Sequence, residues 1–149
     1  MHIVLTVEDI SKLSHSARAE LLSLAFPKAH VDTREYPAGF DSSRFEGVVD
    51  LTPGQIESFM EGCSEKTVAG LRVIAEHGPV IHAKLLNDVG IENYGSFQGG
   101  VTKRTRTITG DSEACLFAFD DWSEAEEGVG HFAVTKNTFR SLRIYFELD

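Results

Sequence analysis

The chain has 149 residues, 42% apolar and 25% charged, enough for one ordinary globular domain that buries roughly two-thirds of its unfolded surface without disulfides or metal. A formal charge of -9 excludes a protein that coats nucleic acid by bulk attraction, and apolar runs of only a few residues, such as 114–118, exclude a membrane-spanning helix. Cys63 and Cys115 are too few for a secreted disulfide framework and lack zinc-ligand spacing; the first residues carry no basic run and meet Glu8 and Asp9 at once, so the chain reads as a reduced, cytoplasmic protein.

In chain order, Thr6 with Asp9 three residues on reads as a helix start. Ser14 or Ser16 can cap a second helix with Ala17, Leu21, Leu22, Leu24 and Ala25 along one face, ended by Pro27. Residues 28–47 have little periodicity and read as a linker or irregular loop, with Phe40 and Phe45 able to dock on the body. Thr52-Pro53-Gly54-Gln55 is a capping box with proline at the first helical position. Ile56, Phe59, Met60 and Cys63 then recur at helical spacing. Ser64-Glu65 restarts a helix with Val68, Leu71, Ile74 and Ala75 inward, stopped by Gly78-Pro79. A third helix of this segment is expected from about Val80, with Ile81, Leu85, Leu86 and Val89 inward and Gly90 as its stop. A fourth is expected from Ser96, with Phe97, Val101, Arg104 and Ile108 on one side and Gly110 as terminator. Residues 114–119 and 131–135 read as two strands joined by an acidic hairpin loop. A last helix capped by Asn137 or Thr138 carries Phe139, Leu142 and Phe146, with a strand as the alternative at Ile144-Tyr145-Phe146.

The charge is unevenly placed. Residues 64–110 carry six Lys/Arg against four Asp/Glu, whereas residues 1–63 are net -5 and residues 111–149 net -6. The one basic cluster, Lys103-Arg104-Thr105-Arg106, lies in a stretch without acid. A localised cation cluster is either a phosphate-contact surface or a solvated face.

Three helices followed by a hairpin, with a turn at Gly90 between the third and fourth, resemble a winged helix-turn-helix. Residues 79–110 and 114–135 carry the resemblance. Within them Ala83-Lys84-Leu85-Leu86-Asn87-Asp88-Val89-Gly90-Ile91 is similar to the first helix and turn of that motif. Residues 99–106 also resemble the corresponding region of small bacterial proteins of uncharacterised function that end in a similar winged domain. The resemblance spans roughly residues 52–146. It implies an α+β, mainly α fold, with a winged helix-turn-helix over residues 51–149; residues 1–50 read as an N-terminal helical segment and linker, a candidate dimerisation element because the apolar face of helix 16–26 has no partner within that segment and packs either on the C-terminal domain or on a second copy of the chain. It further implies that helix 96–109 enters the major groove of double-stranded DNA. The residues expected to bind DNA are Ser96, Gln98, Gly99, Thr102, Lys103, Arg104, Arg106 and Thr109. Gln can read adenine, Arg or Lys guanine, and Thr hydroxyls can donate to phosphates. Gly99-Gly100 has three readings: close approach of a phosphate, close packing against a neighbouring helix, or a helix that begins only at Val101.

No catalytic constellation stands out. His77 and His82 flank the Gly78-Pro79 turn, but with His131 or Cys115 they match no strong metal signature; no cofactor or metal is expected, and an enzyme is not. Trp122 either caps the small core or anchors a partner. The first functional reading is a sequence-specific transcriptional regulator of bacterial or mobile-element type, acting as a homodimer on double-stranded DNA. The alternative rests on Asp120, Asp121, Glu124, Glu126 and Glu127 at the hairpin tip, where acids repel a phosphate backbone: an acidic protein-interaction module, or a DNA mimic, on a winged scaffold.

Overall fold

The structure is a computed structural model describing residues 6–14, 17 and 36–148. Among these residues it is an α+β molecule, mainly helical, with five α-helices and one three-stranded antiparallel sheet. No helix among the described residues is long and apolar enough to cross a membrane. Helix α1, Val7–Ser11, starts at the expected signal. Asp9 N donates to Thr6 Oγ1 at 3.1 Å and Thr6 N to Asp9 Oδ2 at 3.0 Å, so two amides that the helix leaves unpaired are satisfied reciprocally. Ser14 Oγ accepts from Ala17 N at 3.2 Å; the helix expected from there to Pro27 lies outside the described residues.

Helices α2, Pro53–Glu61, and α3, Glu65–His77, follow the capping signals. Gln55 N donates to Thr52 Oγ1 and Thr52 N to Gln55 Oε1, closing the capping box, and Ser64 Oγ accepts from Thr67 N. Ile56, Phe59 and Met60 from α2 and Leu71, Ile74 and Ala75 from α3 are buried together. Helix α5, Lys136–Tyr145, packs across both. Its cap is Thr135, earlier than expected, with Thr138 N donating to Thr135 Oγ1. Helix prevails over strand there because Leu142 is fully buried between α2 and α3 while Ile144 and Tyr145 remain exposed.

The third expected helix is not one. Val80–His82 is strand β1, and Ala83–Val89 is a 3-10 helix. Two β-branched residues directly after Gly78-Pro79 pair with a strand some fifty positions on, and a helical reading has no means of weighing that pairing. Leu85, expected inward, is exposed as a result, whereas Ile81 and Leu86 are buried. The 3-10 helix is capped by the His82 imidazole, whose Nδ1 accepts from Lys84 N at 3.1 Å. It stops at Gly90, which takes the left-handed conformation (φ 82°) that glycine adopts without steric cost. Helix α4 is Tyr94–Thr109, two residues longer at its start than expected, because Asn93 Oδ1 caps it by accepting from Ser96 N at 2.9 Å.

The hairpin is present but short. Ala118–Phe119 is β2 and His131–Ala133 is β3; residues 114–117 lie outside the ladder, with Cys115 bridging to Val48 instead. β3 is central in the order β1-β3-β2, with Ile81 opposite Phe132 on one side and Phe119 opposite Phe132 on the other. Alternation along β3 divides the sheet into two faces. Phe132 points inward and meets Phe97, Phe117, Phe119 and Trp122 at ring separations of 5.0–5.9 Å, mostly edge-to-face. Such pairs contribute about 0.5–1.5 kcal/mol each beyond area burial. Ala133 points the other way. With Ala118 it leaves a shallow bed filled by Tyr36, Phe40, Phe45 and Val48, so Phe40 and Phe45 dock as expected, joined by Tyr36. Tyr36 Oη donates to Val134 O at 2.7 Å.

Candidate nucleic-acid interface

Helix α4 is held by its apolar side. Phe97, Val101 and Thr105 are buried, and Thr105 Oγ1 donates back to Val101 O at 2.8 Å, so the polar group inside is satisfied. Gly70 of α3 makes this packing possible: a Cβ there would come within 2.7 Å of both Ile91 and the Phe97 ring. Fixing Phe97 fixes which side of α4 faces outward.

That outer side, with the turn after it, lines an open concavity of about 660 Å³ formed by Gln98, Gly99, Thr102, Lys103, Arg106, Thr107, Gly110 and Ser112. None of the eight is acidic. Lys103 and Arg106 are exposed, and no salt bridge within the described residues reaches α4. Arg106 Nε donates to Ala114 O at 3.1 Å, which orients the guanidinium while using one of its five N–H donors. Thr107 Oγ1 donates to Lys103 O, leaving oxygen lone pairs that can accept.

The structure therefore brings together five of the eight residues read from the sequence: Gln98, Gly99, Thr102, Lys103 and Arg106. Three lie elsewhere. Ser96 is exposed in the first turn of α4, its amide held by Asn93. Thr109 Oγ1 donates to Thr105 O and accepts from Asp111 N, which closes the C-terminal turn. Arg104 turns to the opposite side. Its Nε donates to Phe59 O at 3.0 Å and its Nη2 to Ser58 O at 2.6 Å, both carbonyls at the C-terminal end of α2. The concavity also includes Thr107, Gly110 and Ser112, which the sequence reading does not name. Counting 100° per residue places Thr107 and Gly110 on the stripe of Lys103 and Arg106, so two of the three have a signal; Ser112, beyond the helix, has none.

Gly99 and Gly100 are both helical, and a Cβ on either would meet nothing within 4 Å. A late helix start and close helix packing are thus both removed as reasons for the pair.

The acidic loop is folded onto the body. Asp120 Oδ1 accepts from His131 N at 2.8 Å, and Oδ2 lies 2.7 Å from His131 Nδ1. Burial pushes the Asp120 carboxyl up, but the His131 amide and imidazole outweigh it and hold the group below the usual carboxylate range. Glu127 pairs with Lys84 of the 3-10 helix, and Asp121 accepts from Ser123. Trp122 Nε1 donates to His131 O at 3.2 Å while its ring packs on Phe132, Phe119 and Tyr94, so the tryptophan caps the core. Glu124 and Glu126 remain on the exposed surface.

Of the histidines weighed for a metal, His82 and His131 face each other across β1 and β3 with ring centroids 5.0 Å apart, whereas His77 sits at the end of α3 beside Glu76. Among the described residues no group of three or more His, Cys, Asp or Glu is arranged to hold an ion. Cys63 donates to Phe59 O, and burial raises its thiol pKa, the signature of a structural rather than a reactive cysteine. Comparison with protein-family models, with curated proteins and with solved structures gives no match.

Proposed function

We propose that the chain is a winged helix-turn-helix protein that binds double-stranded DNA through α4 and acts as a transcriptional regulator. The observation that carries the reading is the acid-free outer face of α4, where Gln98, Lys103 and Arg106 converge on one open concavity. Two further features support it. Helices followed by a short hairpin, with β3 between its neighbours in a small antiparallel sheet, are compatible with a winged domain. A helix held on one side by Phe97 and Val101 also leaves a long exposed edge suited to a major groove about 12 Å wide.

The roles follow from donor geometry. Arg106 presents remaining N–H donors in a plane suited to guanine O6 and N7, and the Gln98 amide matches adenine N6 and N7. Lys103, with the Thr102 and Ser112 hydroxyls, suits phosphate oxygens. Two cationic side chains release few counterions, so one copy binds modestly. A homodimer placing two α4 helices one helical turn apart on the duplex gains the rest.

The test is a titration of labelled mixed-sequence duplex at two salt concentrations. Saturable binding that weakens as salt rises supports the reading, and Arg106→Ala should then lose most of it at a temperature where its melting curve shows it folded. No saturable binding at low salt overturns it. The exposed Glu124 and Glu126, with the chain's charge of -9, favour the second reading in that case: an acidic module that meets a basic protein partner.

A further inference from the structure

Arg104 is the one cation of the basic cluster that does not face the concavity. Its Nε and Nη2 both donate to α2, at the Phe59 and Ser58 carbonyls. The last carbonyls of a helix lack their i+4 amide and carry the negative end of its dipole; Phe59 O also accepts from Gly62 N at 3.2 Å, and a planar guanidinium bridging it to Ser58 O is a strong, oriented link. The space for it is made by Gly62, the C-cap of α2, where a Cβ would overlap the guanidinium carbon and Nε of Arg104. Gly62 has φ -99°, an ordinary conformation for any residue, so room for the guanidinium accounts for the glycine better than backbone need does. Beside it the half-buried Cys63 thiol donates to the same Phe59 carbonyl.

We infer that Arg104 is a positioning residue for the duplex-binding face: it sets the rotation and axial position of α4 on α2, and thereby the direction in which Lys103 and Arg106 project, without touching DNA itself. This rests on the DNA-binding reading proposed above. One residue before Arg104 and two after it lie the two exposed cations, so a small rotation of the helix takes the planar Arg106 fork off its base edge while the flexible Lys103 ammonium keeps its phosphate. Phe97 and Val101 hold the first half of α4; Arg104 performs the same service for the second half.

The salt dependence of binding separates positioning from direct neutralisation of phosphate, because removing a side chain that neutralises one phosphate lowers the slope of log K against log salt by about one. The measurement is titration of labelled mixed-sequence duplex across a salt series, at a temperature where melting curves show each variant fully folded. Lys103→Ala is expected to weaken binding and reduce the slope, and Arg106→Ala, which removes a base-edge contact, to weaken binding with a smaller change in slope. Arg104→Met is expected to weaken binding roughly tenfold, about what one well-placed side chain on a base edge is worth, with the slope unchanged. Gly62→Ala, on a different helix, is expected to do the same by displacing the guanidinium. Arg104→Lys, which retains a donor for one carbonyl, is expected to recover part of the affinity.

A slope that falls for Arg104→Met as it does for Lys103→Ala overturns the inference by making Arg104 a direct DNA ligand. Wild-type affinity in folded Arg104→Met or Gly62→Ala overturns it by reducing the link to stability alone. Both results leave duplex binding by Lys103 and Arg106 standing, whereas a wild-type chain with no saturable binding overturns the DNA-binding reading and this inference together.

Discussion

Gly99 and Gly100 lie on the exposed side of α4 with open space above each and no left-handed backbone to justify them. A helical glycine costs about 1 kcal/mol relative to alanine, so Gly99→Ala and Gly100→Ala should each raise stability by about 1 kcal/mol in denaturant melts; a neutral or destabilising result shows that the backbone there is under a constraint its neighbours do not impose. Tyr36 gives a second residue-level test. Burial, assisted by the nearby Asp50 charge, pushes its phenol pKa up to about 12 from 10. The folded chain therefore holds the phenolic proton where the unfolded chain has released it: the associated stability is present below pH 10 and lost as pH rises from about 10 towards 12. Tyr36→Phe removes that component, so the stability difference between wild type and variant should shrink over this interval; a difference constant with pH excludes Tyr36 as its source. The opposed directions of Arg104 and Arg106 are half legible in the sequence. Helical stepping sets the two about 160° apart and puts Arg104 with Phe97, Val101 and Ile108, but only the fold supplies the carbonyls of α2 that meet it.

At the level of elements, legibility follows the range of the interaction that decides each one. The starts of α1, α2 and α3 are decided by a cap hydroxyl accepting from the amide three residues on, Thr6 from Asp9 N, Thr52 from Gln55 N and Ser64 from Thr67 N, and the cap residue of each can be read from the sequence. β1 is decided by pairing with β3, from Val80 opposite Ala133 to His82 opposite His131, and three residues hold too little periodicity to announce a strand. The cap of α5 shows the same division. Thr135 accepts from Thr138 N locally, but its hydroxyl also meets Asp50, whose other oxygen takes Asn137 Nδ2. Thr52→Ala should therefore cost about 1 kcal/mol, the usual effect of removing an N-cap. Thr135→Ala should cost about twice that, since it also leaves the Asp50 carboxylate short of a partner. Equal costs in parallel denaturation curves reject a stabilising role for the Asp50 link.

Across the whole molecule the sequence carries the place of the hairpin and of the basic helix but not β1, and the covering of the sheet by residues 36–48 depends on apolar side chains scattered through an aperiodic segment. Charge is the property that acts at this scale. A chain of net charge -9 repels a polyanion at distances up to the Debye length, about 8 Å at physiological salt and about 30 Å at 0.01 M. The three loop acids that are internally engaged, Asp120 with His131, Asp121 with Ser123 and Glu127 with Lys84, cannot be neutralised without disturbing the loop. Glu124 and Glu126 are exposed, and changing both to Gln takes the net charge from -9 to -7. If α4 meets DNA, this double variant should bind duplex several-fold more tightly at low salt and indistinguishably from wild type at high salt, because only long-range repulsion has been removed. If the loop is instead the surface that meets a basic partner, the same variant should gain nothing on duplex at any salt and weaken on a polycationic peptide. Running the duplex and peptide titrations side by side distinguishes the two readings by the sign of the change.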